Sequence, residues 1–466
     1  MTISSVAVIG AGPSGLIALD SLIREQKFDR IRLFERKAEA GGQWVFNKEP
    51  PEPLGNIKQL SQRVANKHDI IPSRIPSYTP KTNKHRYADT AIYSYLESNV
   101  EAKIMEFTEE VFPEGPTEKS IAKYGETSPF RHYGKVKDWI QDLYKRKGYD
   151  DHIEFKTSVE LAQKDEKTGK WVLTLRKFGV KKDYVWHEEF DALLVASGKY
   201  TVPYVPNIDG LQEFHDTYWG SVIHSKQYRS KEFYRNKKVI VVGASVSAMD
   251  AIHDIIPVVK GKVISSIKKS TIFLPNFGES PFIHPQIERR TQIVKIDPST
   301  KTVYFEDGSS EIGIDAFVFG TGYSFNFPFL PNLDLANNRI QHLYQHVLYI
   351  EDPTLAFVGC VGGGLTFKVF EWQAVFAARV FSGRAKLPPK EEQYKWEKDR
   401  IAFKGDVHKF VYINGEYEEY FNKLRELATN DGPGRKLPVY EPYWTDIFFR
   451  GHQRKMRNFI ENNYKL

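Results

Sequence analysis

The sequence predicts an α/β fold built from two dinucleotide-binding (Rossmann-like) units, the second inserted into the first. Two strand–turn–helix patterns support this prediction: an apolar strand at Val6–Ile9 leads into a glycine turn and a helix, and the pattern returns at Val239. A later apolar strand, Phe317–Phe319, ends in a Gly-Thr-Gly turn that leads back to the first unit. The spacing therefore predicts one interrupted domain and one inserted domain.

Prolines and glycines mark the expected boundaries of the insertion. Pro203 and Pro206 follow a β-rich stretch and predict a first crossing at Gly198–Val205, and the return crossing is expected at Ile314–Gly322. The expected domains are residues 1–199 for the first part of the interrupted domain, 200–315 for the inserted domain, and 316–466 for the second part with a C-terminal extension of helices and loops.

Composition excludes several classes of function. The chain of 466 residues has a net charge of +7, but its basic and acidic residues are interleaved, which argues against a nucleic-acid partner. The lone cysteine, Cys360, excludes a disulfide framework, a dithiol redox pair and a cysteine zinc site, so redox chemistry would need a cofactor. Without an apolar run of about 18 residues, we expect no membrane span and a cytoplasmic location.

The first glycine turn fits the dinucleotide fingerprint. Small residues permit a tight turn and a close approach of the backbone to a pyrophosphate, and the helix that follows offers its positive N-terminus. Glu35 ends the next strand, where a carboxylate can bind a ribose hydroxyl. The candidate cofactor-binding residues here are Gly10, Gly12, Pro13, Ser14, Gly15, Glu35 and Arg36.

A second glycine turn follows at Gly41-Gly42-Gln43-Trp44. By itself this is a loop packed by an aromatic side chain. Beside the fingerprint it favours FAD over NAD as the bound dinucleotide, with Gly42, Gln43 and Trp44 as candidate contacts.

The fingerprint of the inserted unit departs from the ideal in its second and third glycines, which are replaced by small residues. Its candidate residues are Gly243, Ser245, Ser247 and Ala248. The next strand ends in Lys268-Lys269 where an NAD site would place a carboxylate, and cationic side chains there suit the 2′-phosphate of NADPH. The alternative is that the lysines only cover an exposed strand end.

The segment Tyr218–Tyr228 resembles the signature Phe-x-Gly-x3-His-x3-Phe/Tyr, with Tyr in place of the first Phe. Together with both fingerprints and Gly320–Tyr323, it is similar to the flavin-containing monooxygenase family of class B flavoprotein monooxygenases, and most to the soluble microbial and fungal members. The resemblance implies FAD and NADPH as cofactors, O2 as co-substrate, and a flavin hydroperoxide that oxygenates a soft nitrogen or sulfur of a small molecule. It leaves a homodimer possible.

Three rival functions stay open. Baeyer–Villiger monooxygenases end the signature with Trp-Pro, whereas this chain has Tyr228-Arg229, so ketone oxygenation is the alternative. A flavin-dependent NADPH oxidase or reductase without oxygenation, and a nucleotide-binding sensor without turnover, are the others. The poorly patterned residues 47–90 are expected to pack over the site rather than to form a domain.

The resemblance also implies roles for single residues. Asn99 falls at the position of the family's active-site asparagine, although Glu101 replaces a usual proline; from the sequence alone Asn99 would be a helix N-cap. His224 and Tyr228 lie in the signature near the cofactors, and His224 is expected to support a hinge rather than transfer protons. Gln373 is expected at the start of a helix, Phe370–Ser382, whose N-terminus points to the flavin.

Overall fold

The computed structural model describes residues 2–48, 52–63, 70–82, 89–113, 115–271, 273 and 278–463. The α-helices of these residues are α1 (Pro13–Arg24), α2 (Ile57–Ser61), α3 (Glu118–Tyr124), α4 (Tyr133–Lys145), α5 (Leu211–Thr217), α6 (Val246–Ile255), α7 (Thr366–Phe381), α8 (Lys390–Lys404), α9 (Tyr417–Ala428) and α10 (Tyr443–Asn463).

The strands are β1 (Ser5–Ile9), β2 (Arg30–Phe34), β3 (Ser77–Pro80), β4 (Ile153–Glu154), β5 (Thr157–Lys164), β6 (Trp171–Lys177), β7 (Lys182–Phe190), β8 (Ala192–Val195), β9 (Val202–Pro203), β10 (Val222–His224), β11 (Val239–Val242), β12 (Val263–Ser266), β13 (Ile287–Arg290), β14 (Ile293–Asp297), β15 (Thr302–Phe305), β16 (Ser310–Glu311), β17 (Ala316–Phe319), β18 (Tyr323–Ser324), β19 (Leu335–Ala336), β20 (Arg339–Ile340), β21 (Leu343–Tyr344), β22 (Leu348–Tyr349) and β23 (Leu355–Phe357).

A seven-stranded sheet in the order β21-β22-β23-β8-β1-β2-β4 forms the centre of the first unit. In the centre of this sheet, β1 pairs parallel with β2 and with β8, and β8 pairs parallel with β23. Successive side chains of a strand point to opposite faces, so Val6 and Val8 of β1 pack against α1, α4 and α7, whereas Ala7 and Ile9 face the antiparallel strands β5–β7. The predicted strand–turn–helix–strand at the N-terminus is therefore present, with Pro13 at the first turn of α1.

The second unit is a five-stranded parallel sheet in the order β10-β17-β11-β12-β13, with α6 packed on one face. Strand β17 lies between β10 and β11 in this sheet. The sheet therefore includes Ala316–Phe319, which lie beyond residue 315, the expected last residue of the inserted domain. The place of β17 in the sheet could not be predicted from local sequence, because β17 pairs with strands some 75 residues or more away in sequence.

The two crossings between the units lie side by side. Strands β9 and β18 pair antiparallel, with Pro203 opposite Tyr323 and Val202 opposite Ser324. Thr321 donates a hydrogen bond to the carbonyl oxygen of Tyr204 at 2.5 Å, which adds a side-chain link to this pairing. The chain thus leaves and re-enters the first unit through one two-stranded connection.

The described parts of residues 47–90 belong to both units. Strand β3 adds to the antiparallel sheet β3-β7-β6-β5, in which β5 and β6 form a hairpin. Helix α2 packs against the second unit, where Ile57 joins the apolar cluster around Phe214 and Phe317. The segment therefore includes a helix and a strand within what the sequence indicated as an excursion, and it forms no separate domain among the residues described.

The C-terminal third is more helical than the sequence indicated. Helix α7 begins at Thr366, four residues before the predicted start, and α8, α9 and α10 follow it. Helix α4 carries an apolar stripe, with Val136, Trp139, Ile140 and Leu143 all buried. Within the described residues, every helix is too short or too polar to cross a membrane.

Candidate active site

The first glycine turn joins the carboxyl end of β1 to α1. Gly10 has φ +103°, and a Cβ atom on it would lie 2.8 Å from the carbonyl oxygen of Ala196. A Cβ on Gly15 would overlap the carbonyl oxygen of Gly10, so this glycine is required by the packing of helix against turn. Gly12, at the N-cap of α1, has φ −78° and only ordinary contacts, which leaves its outer side open.

Glu35 lies against this turn, as the fingerprint predicts. Its carboxylate is buried, and it accepts hydrogen bonds from the backbone N–H of Ala11 at 2.7 Å and of Lys37 at 2.8 Å. Arg36 beside it is half-buried. The carboxylate therefore has a fixed position at the end of β2, next to the turn where a ribose would lie.

The second glycine turn faces the first. A Cβ on Gly42 would lie 2.8 Å from the Cα of Gly12, and Gly41 N–H donates to the carbonyl oxygen of Ala11 at 2.9 Å. The Lys37 ammonium donates to the carbonyl oxygen of Gly42 at 2.9 Å, and burial lowers the pKa of Lys37 to about 8. The two glycine turns therefore lie in close contact with each other.

Gln43 and Trp44 complete a short 3-10 helix that follows Gly41. The amide of Gln43 donates to the carbonyl oxygen of Tyr200 at 3.4 Å, and the half-buried Trp44 ring packs against the core of the first unit. Gln43 is therefore near the crossing between the units. The position of Trp44 agrees with the packing interpretation, and its contact with FAD stays a prediction.

These residues fit a dinucleotide. The N-terminus of α1 has no side-chain cap, and the Ser14 hydroxyl donates to the carbonyl oxygen of Ala196 at 3.2 Å, so the first backbone N–H groups of the helix remain for a ligand. An uncapped N-terminus next to glycines attracts an anion such as a pyrophosphate. Gly10–Gly15, Glu35 and Gly42 are the residues that would hold FAD.

The turn after β11 repeats the arrangement in the second unit. Gly243 has φ +122°, and a Cβ on it would lie 2.5 Å from the carbonyl oxygen of Gly320. A Cβ on Gly320 would lie 2.6 Å from the backbone nitrogen of Ala248, so helix and strand pack as closely as the small residues permit. Ser245 is exposed at the N-cap without a side-chain hydrogen bond, and Ser247 is half-buried.

A shallow surface depression lies beside this N-terminus, between Ser245, Met249 and Phe282. Lys268 and Lys269 lie just beyond β12, and the last residue of that strand, Ser266, accepts a hydrogen bond from Gly243 N–H at 3.1 Å. Both lysines are exposed; Lys269 is 3.9 Å from a carboxylate oxygen of Glu306. The second turn therefore has two cations at the edge where a 2′-phosphate would lie.

Asn99 is half-buried in a loop and does not cap a helix. The next helix is a 3-10 turn, Ala102–Ile104, and its N-cap residue is Glu101, which makes no side-chain cap bond. The loop is held by Ser98, whose N–H donates to the carbonyl oxygen of Arg131 at 2.8 Å. Among the described residues no hydrogen bond of the Asn99 amide occurs, so the capping explanation is wrong and the amide is available to a ligand.

His224 supports the connection between the units. Its Nδ1 accepts the Lys226 N–H at 3.1 Å, so Nε2–H donates to the carbonyl oxygen of Gly322 at 2.9 Å. The ring is fully buried against Tyr323, and burial lowers its pKa to about 3. Both ring nitrogens are therefore bonded within the protein, where His224 links β10 to the return crossing. Its contact with a cofactor stays a prediction.

Tyr228 and Gln373 are likewise directed away from the turns. The Tyr228 hydroxyl donates to Asp254 at 2.5 Å in the core of the second unit. Gln373 lies in the middle of α7 rather than at its start; its amide accepts the Gly359 N–H at 2.8 Å and donates to Tyr420 at 2.7 Å. Both side chains make hydrogen bonds within the protein, and their contacts with a cofactor stay predictions. The expected position of Gln373 at the start of the helix is wrong, because apolar neighbours at helical spacing gave no sign that α7 begins earlier.

Sequence reasoning missed three cationic residues at the junction. Lys226 is buried, donates to the carbonyl oxygen of Thr201 at 2.8 Å and lies 3.3 Å from Asp89. Arg229 donates to the carbonyl oxygen of Thr90 at 2.8 Å. Lys199 bonds the carbonyl oxygen of Val361, and burial lowers its pKa to about 8. The sequence feature that could have identified Lys199 as a candidate is its position just beyond the carboxyl end of a parallel strand, where ligands bind in such sheets.

Comparison with known families agrees with this arrangement. The model of the family described as "Flavin-binding monooxygenase-like" matches residues 83–282 and 278–439, and one for "FAD-NAD(P)-binding" matches residues 7–113. The chain is 30% identical to "Flavin-containing monooxygenase FMO GS-OX-like 9" of Arabidopsis thaliana, over 95% of this chain and 93% of the relative. It is 28% identical to "Flavin-containing monooxygenase iboF" of Amanita muscaria, over 93% and 90%.

Solved structures share the fold. S-allyl-L-cysteine S-oxygenase from Allium sativum superposes with a TM-score of 0.76 at 24% identity, covering 98% of this chain and 94% of that one. Tmm from Pelagibacter sp. strain HTCC7211 gives a TM-score of 0.70 at 22% identity, covering 98% and 90%. With two open nucleotide turns and family matches over most of its length, the chain belongs to the flavin-containing monooxygenases, FAD-dependent enzymes that use NADPH.

Proposed function

We propose that this monooxygenase transfers one oxygen atom from O2 to a soft nucleophilic nitrogen or sulfur of a small molecule. The observation that carries the proposal is Asn99, a half-buried amide without a hydrogen-bond partner among the described residues. Its position in the active-site stretch implied by the family resemblance gives this free amide a role at the reacting centre. It would be a neutral donor and acceptor beside the cofactors.

We assign one cofactor to each of the two sheet-containing units. We propose that residues 1–199 and the chain after Phe319 bind FAD, and that the residues between them bind NADPH. When bound, FAD supplies the electron transfer and oxygen chemistry that no amino-acid side chain can perform. The protein's part is to hold both dinucleotides by the open helix N-termini, to orient the substrate, and to exclude water.

Selection of NADPH is assigned to Lys268 and Lys269, which extend from the end of β12 beside the second turn. A 2′-phosphate would accept charge-assisted hydrogen bonds there, each about 1.5–3 kcal/mol. Gln43, near the crossing, is proposed to contact FAD together with Trp44 and Arg36. None of these roles requires a proton to move through a protein side chain.

Nitrogen or sulfur as the target is supported by the names of related proteins. One structural neighbour is named an S-oxygenase of S-allyl-L-cysteine, and the chain shares its fold. Cyclohexanone monooxygenase, with a TM-score of 0.56 at 14% identity, keeps ketone oxygenation as a second candidate. Against it stands Arg229, which replaces the Pro of the ketone-oxidising signature and binds the carbonyl oxygen of Thr90.

One comparative assay tests the proposal. The FAD-loaded enzyme is given NADPH and O2 with an amine, a thioether or a cyclic ketone, and oxygenated product, hydrogen peroxide and NADPH consumption are measured together. We expect product from the thioether or the amine and none from the ketone. Ester formation from the ketone would favour the Baeyer–Villiger alternative, and peroxide equal to NADPH with all three compounds would favour an oxidase.

A cytoplasmic location and a homodimer are further parts of the proposal. The charge of +7 spread over interleaved acidic and basic residues suits a monodisperse protein without a nucleic-acid partner. Light scattering of the purified enzyme would give the mass, and about 108 kDa, twice the 53.8 kDa chain, is the expected dimer. Fractionation of cells that make the protein would give its location.

A further inference from the structure

Helix α10 has one buried face along most of its length. The buried residues recur at intervals of three and four, whereas the residues between them are exposed or half-buried. They are Trp444, Ile447, Phe448, Gly451, His452, Lys455, Met456 and Phe459. At about 1.5 Å of rise per residue, this stripe is roughly 22 Å long, which is enough to contact more than one part of the molecule.

The first half of the stripe packs on the first unit. The Trp444 ring meets the ring of Trp372 in α7 edge-on at 5.6 Å. The Phe448 ring fills the space that a side chain on Gly364 would need, just before α7 begins. Helix α10 therefore determines the shape of the backbone that leads into α7.

The middle of the stripe contacts the Asn99 loop. A Cβ on Gly451 would lie 2.8 Å from the Cγ of Glu101, so only glycine lets the loop approach α10 this closely. Glu101 occupies the position at which members of the family usually carry proline. The loop that presents Asn99 thus contacts the C-terminal helix through Glu101.

The second half of the stripe packs on the second unit. The Lys455 ammonium is buried and lies 2.8 Å from a carboxylate oxygen of Asp250 in α6. The Phe459 ring stacks on His253 of the same helix, with centroids 4.1 Å apart and planes 4° apart. Met456 and Phe459 also join the apolar core beneath that sheet.

We propose that α10 is a positioning element that fixes the second nucleotide turn relative to α7 and the Asn99 loop, with Lys455 and Phe459 as its positioning residues. Helix α6, which α10 holds, begins at the second turn, so any rotation of α6 moves the bound NADPH. A misplacement of about 1 Å can slow a reaction by about a hundredfold. The proposal rests on the cofactor assignment of the two units but not on the substrate class.

The test uses FAD-loaded enzyme, oxidised and without substrate. Lys455→Met keeps an unbranched apolar chain and removes the charge, and Phe459→Leu keeps apolar volume and removes the stacked ring. The matched controls are Arg457→Met and Ile460→Leu on the exposed face of the same helix. Two quantities are measured with NADP+: its Kd by calorimetry, and the change that saturating NADP+ causes in the flavin absorption spectrum.

We expect both stripe variants to bind NADP+ with a Kd within about threefold of the unchanged enzyme, to lose most of the spectral change, and to reduce flavin about tenfold more slowly at saturating NADPH. The controls should keep all three properties. A lowered melting temperature with an intact spectral change would overturn the proposal, because α10 would then only add stability. A large loss of NADP+ affinity would overturn it too, since Lys455 would then act on the turn itself.

Exchange of the charges gives an independent check. Lys455→Asp should abolish the spectral change, and adding Asp250→Lys should restore part of it, because the pair is then re-formed with reversed sign. If the double variant is no better than the single one, the ion pair does not carry the orientation. Since no substrate is present, these outcomes hold whichever substrate class is oxygenated.

Discussion

Gly12 and Gly15 are both part of the first turn, yet the packing requires only one of them. A side chain on Gly15 would overlap the carbonyl oxygen of Gly10, whereas a Cβ on Gly12 would lie 3.5 Å from the Cα of Gly42 in ordinary contact. Since Gly12 also has φ −78°, an alanine there strains nothing in the protein. Only a ligand that approaches the turn closely would be hindered by it.

We therefore expect Gly12→Ala to lower FAD content strongly while leaving the melting temperature of the FAD-free protein unchanged. Gly15→Ala should instead destabilise the FAD-free protein, by about 1–3 kcal/mol from overpacking. The measurements are the flavin-to-protein absorbance ratio and a thermal melt of each variant after removal of flavin. Full FAD content in Gly12→Ala would show that the cofactor does not approach this backbone.

Asn99 offers a separate test of the oxygenation site. Because its amide has no hydrogen bond among the described residues, Asn99→Ala should change stability by less than about 0.5 kcal/mol. NADPH consumption should persist, but hydrogen peroxide should replace oxygenated product if the amide supports the reacting centre. Peroxide and product are measured together with a thioether substrate.

Asn99→Leu is the matched control for shape, since it nearly keeps the size of the side chain, adds no charge and removes the donor and acceptor of the amide. Uncoupling in both variants would identify the hydrogen-bonding groups of the amide as the essential feature, and uncoupling in the alanine variant alone would identify the shape. Full coupling in both variants, with either melting temperature, contradicts an active-site role for this residue.

Elements with a strong local pattern were predictable. The strand, glycine turn and helix at each fingerprint and the amphipathic stripe of α4 depend on neighbouring residues, and the structure has all of them. The start of α7 was predicted too late, because Gly362–Gly364 just before it do not favour a helix. Gln373 was therefore expected at the start of α7, whereas it lies in the middle. The place of β17 in the second sheet, and the two-sided contacts of α10, depend on pairing between distant segments.

The carboxyl end of β12 is the element that should choose between NADPH and NADH. The double variant Lys268→Ala/Lys269→Ala loses the cations beside the second turn, so the NADPH Michaelis constant should rise by roughly tenfold or more. The constant for NADH should be nearly unchanged, because NADH has no 2′-phosphate. Steady-state kinetics with both nucleotides gives the two constants.

Lys260 and Lys262 provide the matched control, as both are exposed at the opposite end of the same strand. Their double alanine variant changes the net charge by the same amount, so any general electrostatic attraction of nucleotide would be lowered equally. If both double variants raise the NADPH constant to the same extent, or if Lys268→Ala/Lys269→Ala weakens NADH as much as NADPH, the lysines do not recognise the phosphate.

On the scale of the whole molecule, the two units are joined by a compact connection. The paired strands β9 and β18 form its backbone, and His224 links the end of β10 to Gly322 beside them. Lys226 adds a bond to Thr201 in the first crossing, and Arg229 one to Thr90. The signature segment Tyr218–Tyr228 and the Arg229 that follows it therefore contribute hydrogen bonds to the connection between the units.

This role gives a pH-dependent prediction for the stability of the connection. The folded pKa of His224, about 3, lies below its ordinary value of 6.5, because burial disfavours the charged form of the ring. Unfolding therefore takes up a proton between pH 6.5 and 3, so the contribution of His224 is fully present above pH 6.5 and is lost as the pH falls toward 3.

His224→Gln keeps a donor for Gly322 and removes the titration. Between pH 6 and pH 5 the unchanged enzyme should lose about 1 kcal/mol more unfolding free energy than this variant. Denaturant unfolding at the two pH values measures the difference, and His187→Gln, at an exposed position of β7, is the control that should behave like the unchanged enzyme. An equal loss in all three proteins would mean that His224 is already free to take up a proton when the chain is folded.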